Sequence, residues 1–204
     1  MKLKICGITR VEDGVLAMQA GADFVGAILV ESSKRCVSVQ RAVEIFAAAS
    51  PARGVLVTRD MPLEKLIPIL EQVRPYAVQL HGSESPAYAA AIPSSVRIWK
   101  AFNLNLPVAV EEMAAFPAEV IVADSGGGTG RTCNWTLAAQ LAKLRPVFLA
   151  GGLSSENLRA AVSAVHPFGV DVSGGVEASP GIKEPLALRN LGTLVQNIKK
   201  ELRQ

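Results

Sequence analysis

The chain has 204 residues, of which 50% are apolar and 19% charged, enough for one domain with a sizeable core. Its net charge of +3 is spread along the sequence with no block of five like charges, which leaves a basic stripe for nucleic acid without support. No apolar run reaches the length of a membrane span and the N-terminus lacks a signal-peptide pattern. The expected setting is therefore cytoplasmic, with neither nucleic acid nor membrane as a partner. Aromatic residues make up 5%, so the core is expected to be aliphatic. The cysteines Cys6, Cys36 and Cys133 are odd in number and widely spaced. That argues against a disulfide framework and against zinc, and it fits a reducing compartment.

The first predicted strand, residues 3–5, runs into "KICGIT", which puts Cys6 and Gly7 at its end. Helical spacing follows at Val11, Val15 and Met18, with Thr9 and Glu12 predicted to form a capping box. A second strand at 24–29 leads to "ESSKR", carrying Lys34 and Arg35, and Ser38 is predicted to cap the next helix. The third strand, 54–57, is followed by a predicted cap at Asp60. The fourth, 77–80, runs through "VQLHG" with Gln79 and His81, and Ser83 is the predicted cap. After a fifth strand at 97–100, the sixth at 120–123 ends in "VIVADSGGGTG" with Asp124. Asn134 is predicted to cap a helix with Leu137, Leu141 and Leu144 on one face. The seventh strand, 147–149, enters "AGGLS", where Ser154 is the predicted cap. The eighth, 169–172, holds Asp171 and enters "SGGVE". A last helix is predicted within residues 184–202.

These strands are too apolar to have one wet face, and burial on both sides is what a parallel sheet requires. Eight β–α units without a linker or composition break predict an α/β fold, a (β/α)8 TIM barrel in a single domain over residues 1–204. That is near the lower size limit of the fold, about 200 residues. An open doubly wound sheet is the alternative. In a barrel the active site lies at the C-terminal ends of the strands, which selects Cys6, Arg35, His81, Asp124 and Asp171.

Each of these also has a bland reading. Cysteine is commonly a buried, inert thiol, yet Cys6 sits at a strand end beside a glycine. A thiolate there could abstract a proton from carbon if a nearby group stabilised the developing charge. Asp124 either caps its turn or projects into the mouth, where a carboxylic acid and a thiolate would make the acid–base pair of a proton-shifting isomerisation. Arg35 is either a solvated charge or a bidentate ligand for a substrate carboxylate. His81 could equally pack against its own loop, and His166, before Pro167, is expected to be structural. "GGGTGRT" fails the Walker pattern because position 125 is Ser, and fails the dinucleotide pattern at Arg131. The glycine pairs after strands seven and eight stand where barrels hold phosphate with backbone N–H groups.

Taken together, "KICGIT", "GADFVG", "SSKR", "VQLHGSE", "GGTGRTCNW", "AGGL" and "PFGVDVSGGVEASPGIK" resemble the phosphoribosylanthranilate isomerase family of tryptophan biosynthesis, in order and at family spacing from Lys4 to Lys183. The resemblance implies a (β/α)8 barrel that carries out an Amadori rearrangement of a phosphosugar with no cofactor and no metal. It implies Asp124 as general acid, Cys6 as general base, and Arg35 facing the anthranilate carboxylate. His81 and Asp171 fall in the substrate-binding mouth. The phosphate is expected on Gly151 and Gly152, on Ser173, Gly174 and Gly175, and under a loop with Gly127, Gly128 and Gly130. Family members are monomers or homodimers. Gly7 is expected to leave room for substrate against the strand end. The chain departs from the family pattern at Cys133-Asn134, where aromatic-Asp is usual, at Cys36, and in lacking aromatics after strand two. A relaxed specificity for a related aminoaldose, a catalytically dead barrel that binds phosphorylated ligands, and a redox or metal role for the thiols are the competing readings.

Overall fold

Side chains along a strand point alternately to the two faces of a sheet, so in a closed sheet every second residue enters the ring and the others meet the helices. The computed structural model, which describes residues 1–126 and 130–202, shows this division. Among the described residues, eight parallel strands close in chain order: β1 (Lys2–Ile5), β2 (Phe24–Ile28), β3 (Arg53–Thr58), β4 (Ala77–Leu80), β5 (Arg97–Asn103), β6 (Val120–Asp124), β7 (Val147–Leu149) and β8 (Gly169–Val172). β8 returns to β1 in register from Lys2 opposite Gly169 to Ile5 opposite Val172. The fold is the expected (β/α)8 barrel, and the open sheet is excluded. The helices are α1 (Val11–Gln19), α2 (Val39–Ala48), α3 (Leu63–Val73), α4 (Pro86–Ala90), α5 (Val110–Ala115), α6 (Trp135–Ala142), α7 (Leu158–Val165) and α8 (Pro185–Glu201). One insertion was not anticipated. Between β8 and α8 lie a 3-10 turn, Gly174–Val176, and an antiparallel hairpin of β9 (Glu177–Ser179) and β10 (Ile182–Lys183). No helix among the described residues is long and apolar enough to cross a membrane.

The core comes in two parts of different chemistry. Between sheet and helices it is largely aliphatic, with residues such as Leu3, Ile5, Leu56 and Ile121 fully buried. The inside of the ring departs from the aliphatic expectation. Phe24, Trp99 and Phe148 fill it, with Trp99 stacked on Phe148 at 4.7 Å between ring centres and edge-on to Phe24 at 5.0 Å. Few aromatics suffice because large rings plug a small circular cross-section more completely than branched aliphatics, and offset or edge-on pairs add to their burial. Above this plug the interior turns polar: Lys4, Gln79, Asp124 and Asp171 are all buried.

Helix starts were only partly as predicted. Ser38 accepts from the Arg41 N–H at 3.1 Å and Asn134 from that of Leu137 at 3.1 Å, as expected of N-caps. The Thr9 capping box does not form: α1 starts one residue later, and the Thr9 hydroxyl donates to the Gly181 carbonyl. Ser85, not Ser83, caps α4, and Asp60 accepts from the Ser83 N–H instead of capping α3. Ser154 donates its own N–H to the Asn157 side chain, and α7 begins after Asn157. At Thr9, Asp60 and Ser83 a partner distant in the chain outcompetes the helix end, whereas at Ser154 the rival is Asn157, three residues on. α6 ends at Ala142, so Leu144, predicted on its apolar face, is exposed.

Candidate active site

β1 keeps its pairing with β8 through Cys6, whose N–H donates to the Val172 carbonyl at 2.9 Å, and the chain then turns sharply at Gly7. Gly7 has φ +69°, a conformation that any side chain would strain. The room beside it is not left for substrate. A Cβ there would collide with the stem of Arg35 and come within 2.9 Å of the Ser173 hydroxyl, so Arg35 itself lies across the glycine. The Arg35 guanidinium is held on one edge: Nε donates to Glu177 Oε1 at 2.8 Å and Nη2 to Oε2 at 2.6 Å. Lys183 completes this cluster by donating to Glu177 Oε1 at 2.8 Å, to the Cys6 carbonyl at 2.7 Å and to the Ser173 carbonyl at 3.2 Å. The hairpin carrying Glu177 and Lys183 thereby ties the ends of β1 and β8 together beneath Arg35. Burial pushes the Glu177 carboxyl up, but the Arg35 hydrogen bonds and the Lys183 charge outweigh it and hold it below the usual carboxylate range. Burial also dominates at Lys183, whose ammonium falls below its ordinary value despite Glu177.

Asp171 meets a lysine within the ring. Its Oδ2 accepts from the Lys4 ammonium at 2.7 Å, inside the ring and below the Cys6 thiol. The thiol's pKa is raised by burial, and the positive charge of Lys4 offsets only part of that rise. Cys6 therefore rests as the neutral thiol at neutral pH.

On the other arc of the mouth, Gln79, His81 and Asp124 form a chain. The Gln79 amide nitrogen lies 2.9 Å from His81 Nδ1, and His81 Nε2 lies 3.1 Å from Asp124 Oδ2, so one hydrogen-bonded line runs from Gln79 to the carboxyl group. Asp124 thus projects into the mouth and does not merely cap its turn. A cavity of about 310 Å³ opens here, lined by Asp124, His81, Asn103 and Arg59 among others. Cys6 lies outside its lining, on the β1–β8 arc of the same end of the barrel. Cys133 is close to Asp124 but is inert, since burial and that carboxylate push its thiol up to about 12. Cys36 is exposed, and His166 ends α7 in the left-handed conformation away from the mouth.

The predicted phosphate loops meet. Gly152, with φ +59°, packs against the Gly130 and Arg131 backbone so closely that a Cβ would come within 2.6 Å of the Gly130 carbonyl. Gly151 lies against Ser125, and Gly175 against the Leu153 carbonyl. Gly174 approaches the Arg35 guanidinium, and the Ser173 hydroxyl is buried without a hydrogen-bond partner among the described residues. Gly127 and Gly128 lie outside the described residues. Lys34 is exposed. No group of three or more His, Cys, Asp or Glu side chains among the described residues is placed to hold a metal.

Lys4, Glu177 and Lys183, which surround Cys6 and Arg35, were not singled out from the sequence. Lys4 had a signal, since it falls on the ring-facing phase of a strand whose neighbours Leu3 and Ile5 face the helices.

A family model described as N-(5'phosphoribosyl)anthranilate (PRA) isomerase matches residues 3–194. The chain is 37% identical over 209 residues to N-(5'-phosphoribosyl)anthranilate isomerase of Pelobacter propionicus, with 98% of each chain covered. Among solved structures, phosphoribosyl anthranilate isomerase from Thermus thermophilus superposes with a TM-score of 0.90 at 37% identity, covering 97% of this chain and 100% of that one. A phosphoribosyl anthranilate isomerase in complex with reduced 1-(o-carboxyphenylamino)-1-deoxyribulose 5-phosphate superposes with a TM-score of 0.84 at 32% identity, covering 97% and 99%.

Proposed function

Because the chain belongs to the N-(5'-phosphoribosyl)anthranilate isomerase family, we propose that it converts N-(5-phosphoribosyl)anthranilate to 1-(2-carboxyphenylamino)-1-deoxyribulose 5-phosphate in tryptophan biosynthesis, with Asp124 as acid and Cys6 as base. The observation that supports this most directly is the pairing of Asp124 with His81 in the mouth cavity, at the same end of the barrel as the thiol.

Asp124, protonated from solvent, gives its proton to the furanose ring oxygen. The C1–O bond breaks and the nitrogen lone pair forms the C=N bond of a Schiff base. The Cys6 thiolate then takes the proton from C2. The C–H electrons become the C=C bond of an enolamine as the C=N electrons return to nitrogen, and tautomerisation yields the ketone. Gln79, with its amide nitrogen 2.9 Å from His81 Nδ1, fixes the ring so that Nε2 faces Asp124.

With the Nε edge of Arg35 occupied by Glu177, the anthranilate carboxylate would use the opposite edge, Nη1 and Nη2, of a guanidinium already fixed in place. The sugar phosphate would lie on the backbone of Gly151, Gly152, Gly174 and Gly175, within reach of Ser173 and Gly130. A dead binding barrel has no use for both a mouth-facing carboxyl and a thiol.

Purified protein should quench the fluorescence of phosphoribosylanthranilate without added metal or nucleotide. Asp124→Asn and Cys6→Ser should each lower turnover by about 10²-fold or more. Near-complete activity in either variant would overturn that residue's role, and turnover of the related histidine-pathway aminoaldose at a comparable rate would favour the relaxed specificity.

A further inference from the structure

We propose that Lys4, inside the barrel, is the counter-ion that holds Cys6 as a thiolate during turnover, and that Asp171 limits how strongly it does so. This rests on Cys6 being the base proposed above.

Lys4 is fully buried, and its one carboxylate partner among the described residues is Asp171 at 2.7 Å. The other oxygen of Asp171 is buried with no hydrogen-bond partner among the described residues. Such a pair is costly to bury, and apolar residues of similar volume often serve stability as well or better. Stability therefore gives no reason for placing it in a ring whose lower half is filled by Phe24, Trp99 and Phe148. Its position gives one. On the neighbouring strand, Gly26 leaves a space where a Cβ would stand 2.8 Å from the Cys6 sulfur and 3.3 Å from Lys4 Cε, so thiol and lysine stem converge on one point. The ammonium has three protons and gives one to Asp171 Oδ2, which leaves donors for the sulfur.

The other charges around Cys6 are engaged elsewhere. Lys183 on β10 binds Glu177 and two backbone carbonyls, one of them that of Cys6. Arg35, across Gly7, is clamped by Glu177 on β9. The electrostatics agree with the geometry. Burial pushes the thiol up, Lys4 is the strongest influence against it, and Asp171 adds to the rise. Burial would strip the Lys4 proton, but Asp171 and Cys6 outweigh it and keep Lys4 charged above its ordinary value. Lys4 gains and loses no proton in the cycle. The thiol ionises to solvent, the thiolate takes the C2 proton, and the ammonium stabilises the sulfur's charge in between.

The test is the pH dependence of Cys6 alkylation by iodoacetamide, resolved by peptide mass spectrometry in a Cys36→Ser background. Lys4→Met should move the midpoint to higher pH and slow alkylation at neutral pH, about tenfold for every pH unit by which the midpoint rises. Asp171→Asn should move it to lower pH and speed alkylation. The acid limb of kcat/KM should follow the same two directions. Should Lys4→Met fail to fold, the Lys4→Met/Asp171→Leu pair removes both charges without orphaning either, and its midpoint should still rise. Unchanged midpoints, or single variants that move in the same direction, would overturn the proposal. The alkylation readout does not require turnover. Opposed movements together with a fully active Cys6→Ser would therefore overturn the role in turnover through the failure of the base assignment alone.

Discussion

Glu177 can serve the carboxylate proposed for Arg35 without touching it. Its carboxylate fixes Arg35 by two hydrogen bonds and also accepts from Lys183, which holds the Cys6 and Ser173 carbonyls. A guanidinium fixed in this way loses little further entropy on meeting a carboxylate. Glu177→Gln should accordingly raise KM about tenfold, the scale of one charge-assisted hydrogen bond, with a smaller change in kcat. Steady-state kinetics checks this, and a loss confined to kcat would show that Glu177 acts through Lys183 and the Cys6 strand end instead. The residues at the strand ends were legible from position alone: His81 and Asp124 line the mouth cavity, and Cys6 and Arg35 lie by the β1–β8 arc of the same end. The Lys4–Asp171 and Arg35–Glu177 pairs were not, because 167 and 142 residues separate their members and no local pattern links positions that far apart.

At the scale of elements, the loop after β4 hangs on a buried ion pair from the next strand. Lys100 on β5 reaches Glu84 at 2.8 Å, and Glu84 accepts from the Asp60 N–H at 2.8 Å and the Gly82 N–H at 2.9 Å, so the loops after β3 and β4 are joined beside His81. Burial pushes the Glu84 carboxyl up, yet Lys100 and the backbone donors outweigh it and hold it below its ordinary value. The sign of the pH effect follows. A depressed carboxyl contributes stability above its unfolded value, about 4.3, and loses it as pH falls through the lower folded value. Glu84→Gln leaves Lys100 buried without its anion and should cost about 3 kcal/mol at neutral pH. The gap to the parent chain should narrow below about pH 4. Denaturant titrations at a series of pH values check this, and a gap constant down to about pH 2 would rule out the linkage. None of this loop bracing was visible beforehand. Strand and helix periods mark where elements run, whereas the hydrogen bonds between successive loops depend on how the ring closes. For the same reason the Thr9 cap was misplaced and the β9–β10 hairpin was unforeseen, whereas Ser154 lost its place to a local rival, Asn157.

The whole molecule divides across its axis. The aromatic plug carries stability at the N-terminal end of the strands, and the polar groups gather at the other. Trp99→Ala should therefore destabilise the protein by about 3–5 kcal/mol, while the folded fraction keeps the parent KM; calorimetry and kinetics on one preparation check both. A large rise in KM would mean that the two halves are mechanically coupled. Eight apolar strands alternating with helices made the barrel readable, since burial on both faces and closure follow from that repetition. The closing seam has a further consequence. β1 finds its second neighbour only in β8, and the lumenal cation on β1 finds its anion there too. During synthesis β1 leaves the ribosome long before β8, which carries both of its complements. Until then the nascent chain carries an unpaired edge and an unneutralised lysine, so any half-barrel formed on the way must keep that strand wet or lend it to a chaperone.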